Sequence, residues 1–454
     1  MQQLKNLKKV RQLSVVTLLS GLAILLIAGA LALSGCTQRR DAPEERMTLS
    51  YFRLGWSQPD EGPFVQPLSE EFTRQTGISV TNPPVPETSL GQLDLSRKFI
   101  REGKPVVDVM GVDLVWAGVL ESDLLDLRPY FTEEIAAMDP QLVSGFTVGG
   151  KLVAIPYQVF VGVIEYRTDL LHKYGFKHPP RTWDELEDIA TKIQTAERAK
   201  GNKGFWGYVW QGAAAESLTC NGLEWQAAEG AGRIIEADQT ISVNNPSTVR
   251  AWQRAQRWIG WISPRSVLAY RELDARNIFD SGHAVFSRNW AGTTRGAALD
   301  NREHTPRVYG RSTLMEGNFG YAGLPGGPAG RSSMLGGSGL AIPSRSAHRQ
   351  AAIEFIRFLV RKQSTQVAPP DATLPEFYDL PLVLDSRPNV HKSGIAIRPS
   401  NIGGVSYEPI TRAYIDSLHS VLTGKKSAAA AAAELEQKLV KITGFKTGPP
   451  RLTK

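Results

Sequence analysis

Cysteine is scarce in this sequence, which has only Cys36 and Cys220 among 454 residues. So few cysteines exclude a disulfide-stapled scaffold, and a chain of this length can bury enough apolar surface without such cross-links. Cys36 belongs to the N-terminal segment treated below, which leaves Cys220 without an intramolecular partner. We interpret Cys220 as a small buried residue and not as a nucleophile.

Dense basic runs are missing as well. The formal net charge is +7, but residues 1–35 hold four positive charges and no acid, so the rest of the chain carries only +3. No stretch of Lys and Arg beyond residue 35 is dense enough for a nucleic-acid surface. We therefore expect no nucleic-acid partner.

The motifs of common catalytic, cofactor and metal sites are also missing. The seven histidines show neither a helical metal spacing nor an HExxH pattern. The stretch Gly336-Gly337-Ser338-Gly339-Leu340 lacks the last glycine of GxSxG, and Gly326, Gly327 and Gly330 do not form a dinucleotide fingerprint. We expect no enzyme, cofactor or metal. A secreted carbohydrate-active enzyme stays an alternative, because glycosidase carboxylates can lie far apart in sequence.

The N-terminus is the most informative stretch that is present. A basic segment, residues 5–11, precedes an apolar run, residues 13–33, and Leu33-Ser34-Gly35-Cys36 follows. This order predicts an export signal over residues 1–35, with the form of a bacterial lipobox that makes Cys36 a lipidation site. An uncleaved membrane helix is the alternative, since about 20 apolar residues span a bilayer. Either segment would place the remainder outside the cytoplasm, on the outer face of the membrane or in the periplasm.

After the signal, strand and helix patterns alternate. Residues 36–46 are polar and predict a flexible tether. Met47 to Phe52 has a strand pattern. Thr182-Trp183-Asp184-Glu185 is a capping box for a helix to about Ala196, and Asn245-Pro246 caps another helix. The alternation predicts α/β layers.

Three segments of this region resemble family 1 of the extracellular solute-binding proteins. They are residues 151–157, 162–171 and 179–186, which read KLVAIPY, GVIEYRTDLL and PPRTWDEL. Residues 204–212, GFWGYVWQG, are similar to the trehalose/maltose-binding branch in particular. The resemblance covers nearly all of the chain after the tether, and its motifs are more specific for the family than for the ligand.

The resemblance implies an α/β fold with two lobes, a hinge and an interlobe cleft, the type II periplasmic-binding-protein-like fold. One lobe would take residues 47–155 plus 330–372 and the other 156–329 plus 373–446. Ile155-Pro156-Tyr157 would be a hinge crossing, since proline has no ladder N–H. The lobes would close on the ligand by hinge motion.

The implied function is that of a monomeric substrate-binding component of an ABC importer, which delivers a saccharide to permease subunits in the membrane. Alternatives within the binding proteins are a polyol phosphate, a polyamine or a peptide as ligand. A phosphate site needs Arg and Lys, whereas a polyamine site needs several carboxylates. A sensor that presents its ligand to a membrane receptor is a further alternative.

The candidate ligand contacts follow from this resemblance, because sugar sites combine aromatic faces with charged or amide groups. Asp113 would accept a sugar hydroxyl, Trp290 would stack on a sugar ring, and Arg398 would reach into the cleft. The alternatives are a helix cap for Asp113, a core position for Trp290 and a surface salt bridge for Arg398. The looser candidates are Glu61, Gln158, Phe160, Trp56, Glu224, Trp225 and Ser338, where core packing is the alternative for Glu224 and Trp225.

The sequence departs from the trehalose/maltose branch at Phe160, where the branch has an aspartate, and at Ser338, where it has a tryptophan. An arginine of the early helix is replaced at Gly91-Gln92. Losing a buried acceptor and a stacking ring costs about 1–3 kcal/mol each, together about a hundredfold in affinity. The saccharide is therefore left open. A different sugar that stacks on Phe160 and forms a hydrogen bond between a hydroxyl and the Gln158 side-chain amide fits these replacements.

Overall fold

The computed structural model describes residues 47–54, 62–86, 89–102, 107–138, 140–292, 318–364 and 394–451. The predicted signal, the lipidation site Cys36 and the tether lie outside these ranges, as do the candidate contacts Trp56 and Glu61. In the part of the chain so described, no helix combines the length and the apolar composition that a membrane crossing requires.

Strands and helices alternate along most of the chain, as the sequence pattern predicts. The strands are β1 Thr48–Phe52, β2 Ser79–Thr81, β3 Val109–Asp113, β4 Thr147–Val148, β5 Lys151–Leu152, β6 Ile155–Arg167, β7 Trp206–Val209, β8 Ala284–Gly292, β9 Phe319–Gly323, β10 Ser332–Ala341 and β11 Gly394–Ala396. The helices are α1 Gly62–Thr76, α2 Ser89–Glu102, α3 Ala117–Leu120, α4 Thr132–Ala136, α5 Pro140–Gly145, α6 Thr168–Lys173, α7 Trp183–Ala199, α8 Glu216–Ala228, α9 Pro246–Trp258, α10 Glu272–Asp280, α11 Arg349–Ser364, α12 Ser400–Gly403, α13 Tyr407–Leu422 and α14 Ala428–Thr443.

Two predicted helix starts are confirmed at the level of single hydrogen bonds. The Thr182 hydroxyl accepts from the backbone N–H of Glu185 at 3.2 Å, and the Glu185 carboxylate accepts from the N–H of Arg181 at 2.7 Å. The Asn245 side chain accepts from two N–H groups of the first turn of α9. These bonds satisfy backbone donors that a helix leaves unpaired at its N-terminus.

Within the described residues, nine strands form one sheet in the order β2-β1-β3-β10-β6-β8-β7, with β11 paired to β10 and β9 paired to β6. The strands β1, β2 and β3 pair in parallel, whereas β10 is antiparallel to both β3 and β6. The central strand β6 is 13 residues long, long enough to serve more than one part of the molecule.

Two large hydrophobic cores flank the middle of this sheet. The first includes Leu49, Ile155 and Leu340, and the second includes Ile164 and Met334. The strand β6 therefore begins in the first core and ends in the second, while β10 runs the opposite way. These two paired strands carry the chain between the cores.

Candidate ligand-binding site

Three of the predicted site residues lie side by side on adjacent strands. Ser338 of β10 pairs with Asp113 of β3 on one side and with Gln158 of β6 on the other. The Ser338 hydroxyl donates to the Gln158 side-chain oxygen at 3.1 Å. Directly paired residues place their side chains on the same face of a sheet. A row of three polar side chains therefore crosses the sheet from β3, a strand of the first core, onto β10 and β6, the two strands that join the cores.

Asp113 is the last residue of β3 and is partly exposed. One of its carboxylate oxygens, Oδ1, accepts from the backbone N–H of Val115 at 3.0 Å and lies 3.8 Å from Nη2 of Arg398. Burial raises the pKa of Asp113, and Arg398 and the Val115 N–H oppose that rise. Asp113 thus caps the short 3-10 helix Leu114–Trp116, as the helix-cap alternative holds, and its carboxylate lies at the edge of the row.

Arg398 is buried, so its salt bridge is not the surface contact considered as the alternative. Its Nη1 donates to Glu216 Oε1 at 3.1 Å. The Glu216 carboxylate also accepts from the hydroxyls of Tyr407 and Thr411. Burial and the neighbouring Glu216 raise the pKa of Tyr407, so its phenol is a neutral donor at pH 7.

Glu216 was not among the predicted contacts. It is the first residue of α8, where the unpaired N–H groups of a helix favour a negative charge. The sequence signal that could have identified Glu216 is an acid at the start of the helix that carries Cys220 to Trp225. Its partners Arg398 and Tyr407 are nearly 200 residues away in sequence, which hid the cluster.

Trp290 lies on β8, in register with Gly162 of β6. The Arg288 guanidinium is 4.1 Å from the centroid of the Trp290 ring, and a Cβ at Gly336 would come within 3.2 Å of the ring. The glycine of β10 therefore makes room for the indole. The indole N–H is buried and has no hydrogen-bond partner among the described residues. An unpaired buried donor costs about 1–3 kcal/mol, and a ligand oxygen would remove that cost.

Glu224 has a different position from the one expected of a ligand contact. Its two carboxylate oxygens accept from Nε and Nη2 of Arg288 at 3.0 and 2.6 Å, and Oε1 also accepts from the N–H of Met334 at 3.0 Å. Both side chains of the pair are buried. Packing, the alternative considered for Glu224, accounts for this location, and the pair supports the Trp290 ring from below.

Trp225 is likewise a core residue. Its ring centroid is 5.1 Å from that of Trp210 and 5.6 Å from that of Trp258, in edge-on contacts. Only 2% of Trp225 is exposed, so the ring is not available to stack on a ligand in this arrangement.

Phe160 lies two residues along β6 from Gln158, and its backbone pairs with Gly336 and Gly292. It thus belongs to the strand segment that carries the polar row.

Gln92 belongs to the pair Gly91-Gln92, where the trehalose/maltose branch is expected to have an arginine. It is buried in α2, and its amide donates to the carbonyl of Pro86 at 2.8 Å.

The structure thus brings Asp113, Ser338, Gln158, Trp290 and Arg398 to one region, from sequence positions far apart. No group of three or more His, Cys, Asp and Glu side chains within the described ranges could hold a metal ion. The side chains present offer hydrogen-bond donors, acceptors and an aromatic ring. This set suits non-covalent binding of a polar molecule; the ligand contacts themselves remain a prediction.

The sequence matches one family over most of its length. Residues 55–366 match the model of the bacterial extracellular solute-binding proteins. A protein of Deinococcus radiodurans, described as a probable ABC transporter-binding protein, is 36% identical over 388 residues, which is 83% of this chain and 89% of the relative.

Solved structures give the same fold. The maltose-bound MalE3 of T. maritima has a TM-score of 0.73 and 28% identity, over 87% of this chain and 100% of that one. A solute-binding protein of Thermotoga lettingae bound with alpha-D-tagatose has a TM-score of 0.72 and 21% identity, over 88% and 100%. With two cores joined by β6 and β10, the fold is that of the two-lobed periplasmic binding proteins. The chain belongs to the bacterial extracellular solute-binding proteins.

Proposed function

We propose that this protein is the solute-binding component of an ABC importer and that it binds a mono- or oligosaccharide between its two lobes. The row of Asp113, Ser338 and Gln158 beside Trp290 is the observation that carries the proposal. Hydroxyl-rich solutes need directional polar partners together with a flat apolar surface. The maltose and alpha-D-tagatose of the two solved relatives support this class of ligand.

The mechanism involves no covalent step. The solute binds between the lobes, and closure is favoured only by its higher affinity for the closed state. The closed protein then docks on permease subunits, where ATP hydrolysis by separate subunits drives release. The family supports this division of labour, because its members are binding proteins and not enzymes.

The lobes proposed above are residues 47–155 plus 330–372 and residues 156–329 plus 373–446. The first hydrophobic core draws mainly on residues 49–155 and 340–359, which supports this division. Met334 packs in the second core, because β10 passes from one core to the other. We also propose that the protein is a monomer.

A thermal-shift screen tests the binding proposal. The panel contains mono- and oligosaccharides and sugar alcohols, with mass spectrometry of any molecule that copurifies. Ligand at about 100 times its dissociation constant adds about 2.7 kcal/mol to stability, which gives a clear rise in melting temperature. Absence of a shift across the panel would contradict the saccharide proposal, and turnover of a glycoside would favour the enzyme alternative.

The lipid anchor at Cys36 is a separate proposal that rests on the predicted lipobox. A diacylglycerol-modified N-terminal peptide that begins at Cys36 is expected in mass spectrometry of the native protein. Cys36→Ser should lack the diacylglycerol and keep residues 1–35, because lipidation precedes cleavage. An unmodified protein that retains residues 1–35 and has no diacylglycerol on Cys36 would instead identify an uncleaved membrane helix.

A further inference from the structure

The charges around Arg398 do not balance. Its guanidinium lies 3.1 Å from a Glu216 oxygen and 3.8 Å from an Asp113 oxygen. The other partners of Glu216 are the hydroxyls of Tyr407 and Thr411, which carry no charge. With both carboxylates ionised, the side chains of this cluster carry one surplus negative charge, which the N-terminus of α8 offsets only in part.

The other arginine of the site does not compensate for that surplus. Arg288 binds both oxygens of Glu224, so this pair is neutral as a unit. Arg398 lowers the pKa of Asp113 and Glu216 raises it. Arg53, which follows β1, acts on Tyr51 and Tyr157. Among the described residues, the Asp113 end of the polar row therefore carries more carboxylates than guanidinium groups, and Arg398, the cation beside Asp113, is already paired with Glu216.

Burial makes this imbalance matter for ligand choice. The side chains of Arg398 and Glu216 are 5% and 11% exposed, so water screens their charges poorly. A phosphate or carboxylate on a ligand would approach the surplus charge and would find no unpaired guanidinium in the cluster. A neutral hydroxyl can donate to the Asp113 carboxylate instead, and an ammonium group would gain from the same charge.

We propose that Glu216 is a specificity-determining residue that acts through Arg398, so that the site accepts neutral or cationic polyhydroxylated solutes and rejects anionic ones. This inference rests on the proposed function and deepens it. It separates the saccharide proposal from the polyol-phosphate alternative, for which a free arginine or lysine is needed.

The first test uses the unmodified protein and matched probes. Calorimetry and thermal shift compare glucose, glucosamine and glucose 6-phosphate, then maltose with maltose 1-phosphate and ribitol with ribitol 5-phosphate. The neutral or amino member of at least one series should bind, and its phosphate should bind at least about tenfold more weakly. Phosphates that bind as well as or better than their neutral partners would overturn the inference and leave the proposed solute-binding function. Where none of these solutes binds, the same comparison uses the neutral solute found in the thermal-shift screen and its phosphate, and no binding across that screen would overturn both.

The second test removes the surplus charge. Glu216→Gln keeps the size of the side chain and an acceptor oxygen for Tyr407. The ratio between neutral and phosphate affinities should shrink by on the order of tenfold or more. A purely structural role would weaken both ligands equally and leave this ratio unchanged, and that result would overturn the inference.

Two control variants accompany Glu216→Gln. Thr411→Val removes a hydrogen bond to Glu216 but keeps its charge. Glu434→Gln removes the same charge from α14, where Glu434 pairs with Lys426 on the surface. Both should retain the affinity ratio of the unmodified protein, and a change as large as that of Glu216→Gln would contradict the proposal. The comparison of probes on the unmodified protein stands even where Glu216→Gln does not fold.

Discussion

Two buried arginines stand near the candidate site, and their surroundings differ in kind. Arg288 meets one carboxylate, Glu224, through two hydrogen bonds. Arg398 is shared between Asp113 and Glu216 in a looser arrangement. Arg288 and Glu224 are both fully enclosed, whereas the Asp113 side chain is 19% exposed. The first pair is balanced and closed, and the second cluster is unbalanced and open at one edge.

The difference separates support from recognition. A balanced buried pair is costly to break, because the surviving charge has no partner, so the Arg288 pair fixes the position of Trp290. The Arg398 cluster contains Asp113, at the end of a strand of the first core, Tyr407, which packs in the same core, and Glu216, which begins the helix α8 of the second core. Under the proposed function, a ligand between the lobes would meet this cluster at the exposed edge of Asp113.

The strongest way to break the balanced pair is to fill the space beside it. A Cβ at Gly162 would lie 2.1 Å from Glu224 Oε1 and 2.7 Å from Arg288 Nη2. Gly162→Ala should therefore destabilise the protein by about 3–5 kcal/mol, the cost of disrupting a buried ion pair. Urea unfolding measures this loss. Gly204→Ala is the control, because a Cβ there meets nothing within 4 Å. Equal urea midpoints for the two variants would contradict the supporting role of the Arg288–Glu224 pair.

The recognition side is tested next by removing its acid and its ring. Asp113→Ala and Trp290→Ala should each lower the affinity for the best ligand by about five- to a hundredfold, since an acceptor and a stacking surface are each worth about 1–3 kcal/mol. Calorimetry measures the affinity, and circular dichroism checks that the fold is retained. Unchanged affinity in both variants would place the binding site elsewhere.

A milder change at Gly336 asks whether the Trp290 ring needs its present position. A Cβ on Gly336 would lie 3.2 Å from the ring, so the ring must shift by a few tenths of an ångström. We expect Gly336→Ala to cost about 1 kcal/mol, roughly fivefold in affinity. Gly323→Ala, on the same sheet, is the matched control, because its Cβ would make only an ordinary contact with Arg331 at 3.4 Å. Equal affinities for Gly336→Ala and Gly323→Ala would show that ligand binding does not depend on the position of the Trp290 ring.

The smallest effect concerns a more exposed arginine–carboxylate pair between α2 and α13. Glu408 accepts from Arg97 at 2.6 Å and from Arg412 at 2.8 Å. Although burial acts in the opposite direction, these two arginines lower the pKa of Glu408 below its usual 4.5. Its stabilising contribution is therefore present above about pH 4.5 and is lost as the pH falls through the lowered value.

The measurement is the difference in melting temperature between the unmodified protein and Glu408→Gln across a pH series. At pH 7 the variant should be slightly less stable, by under about 1 kcal/mol, as for other exposed pairs. The difference should vanish at low pH. A difference that stays constant from pH 7 to pH 3 would show that the charge of Glu408 does not contribute.

Much of the framework could be predicted from sequence because its signals are local. Thr182 and Asn245 cap helices within a few residues of themselves, and the pattern places Asp113 at the end of a buried strand. The family resemblance supplied the two-lobed fold. The same resemblance assigned Asp113, Trp290 and Arg398 to one proposed site, although they are far apart in the sequence.

What sequence could not supply is the pairing of distant charges. Glu224 and Arg288 are 64 residues apart, and nothing local distinguishes an acid held in a buried pair from one that faces a ligand. Trp225 raises the same difficulty, since a core indole and a stacking indole are the same residue type. Glu216 was missed because its role depends on Arg398, 182 positions away.

The pairing of β6 with β10 has a mechanical consequence. The register of the two strands shifts between Ser338 and Gly339, beside the polar row. Any rotation of one core against the other must bend this ribbon, and an irregular ladder is its softest point. The pivot and the recognition groups would then occupy nearly the same place. A small rotation at this point would produce a large displacement far from it. A small solute bound beside the ribbon would therefore reposition the distant surfaces of both lobes.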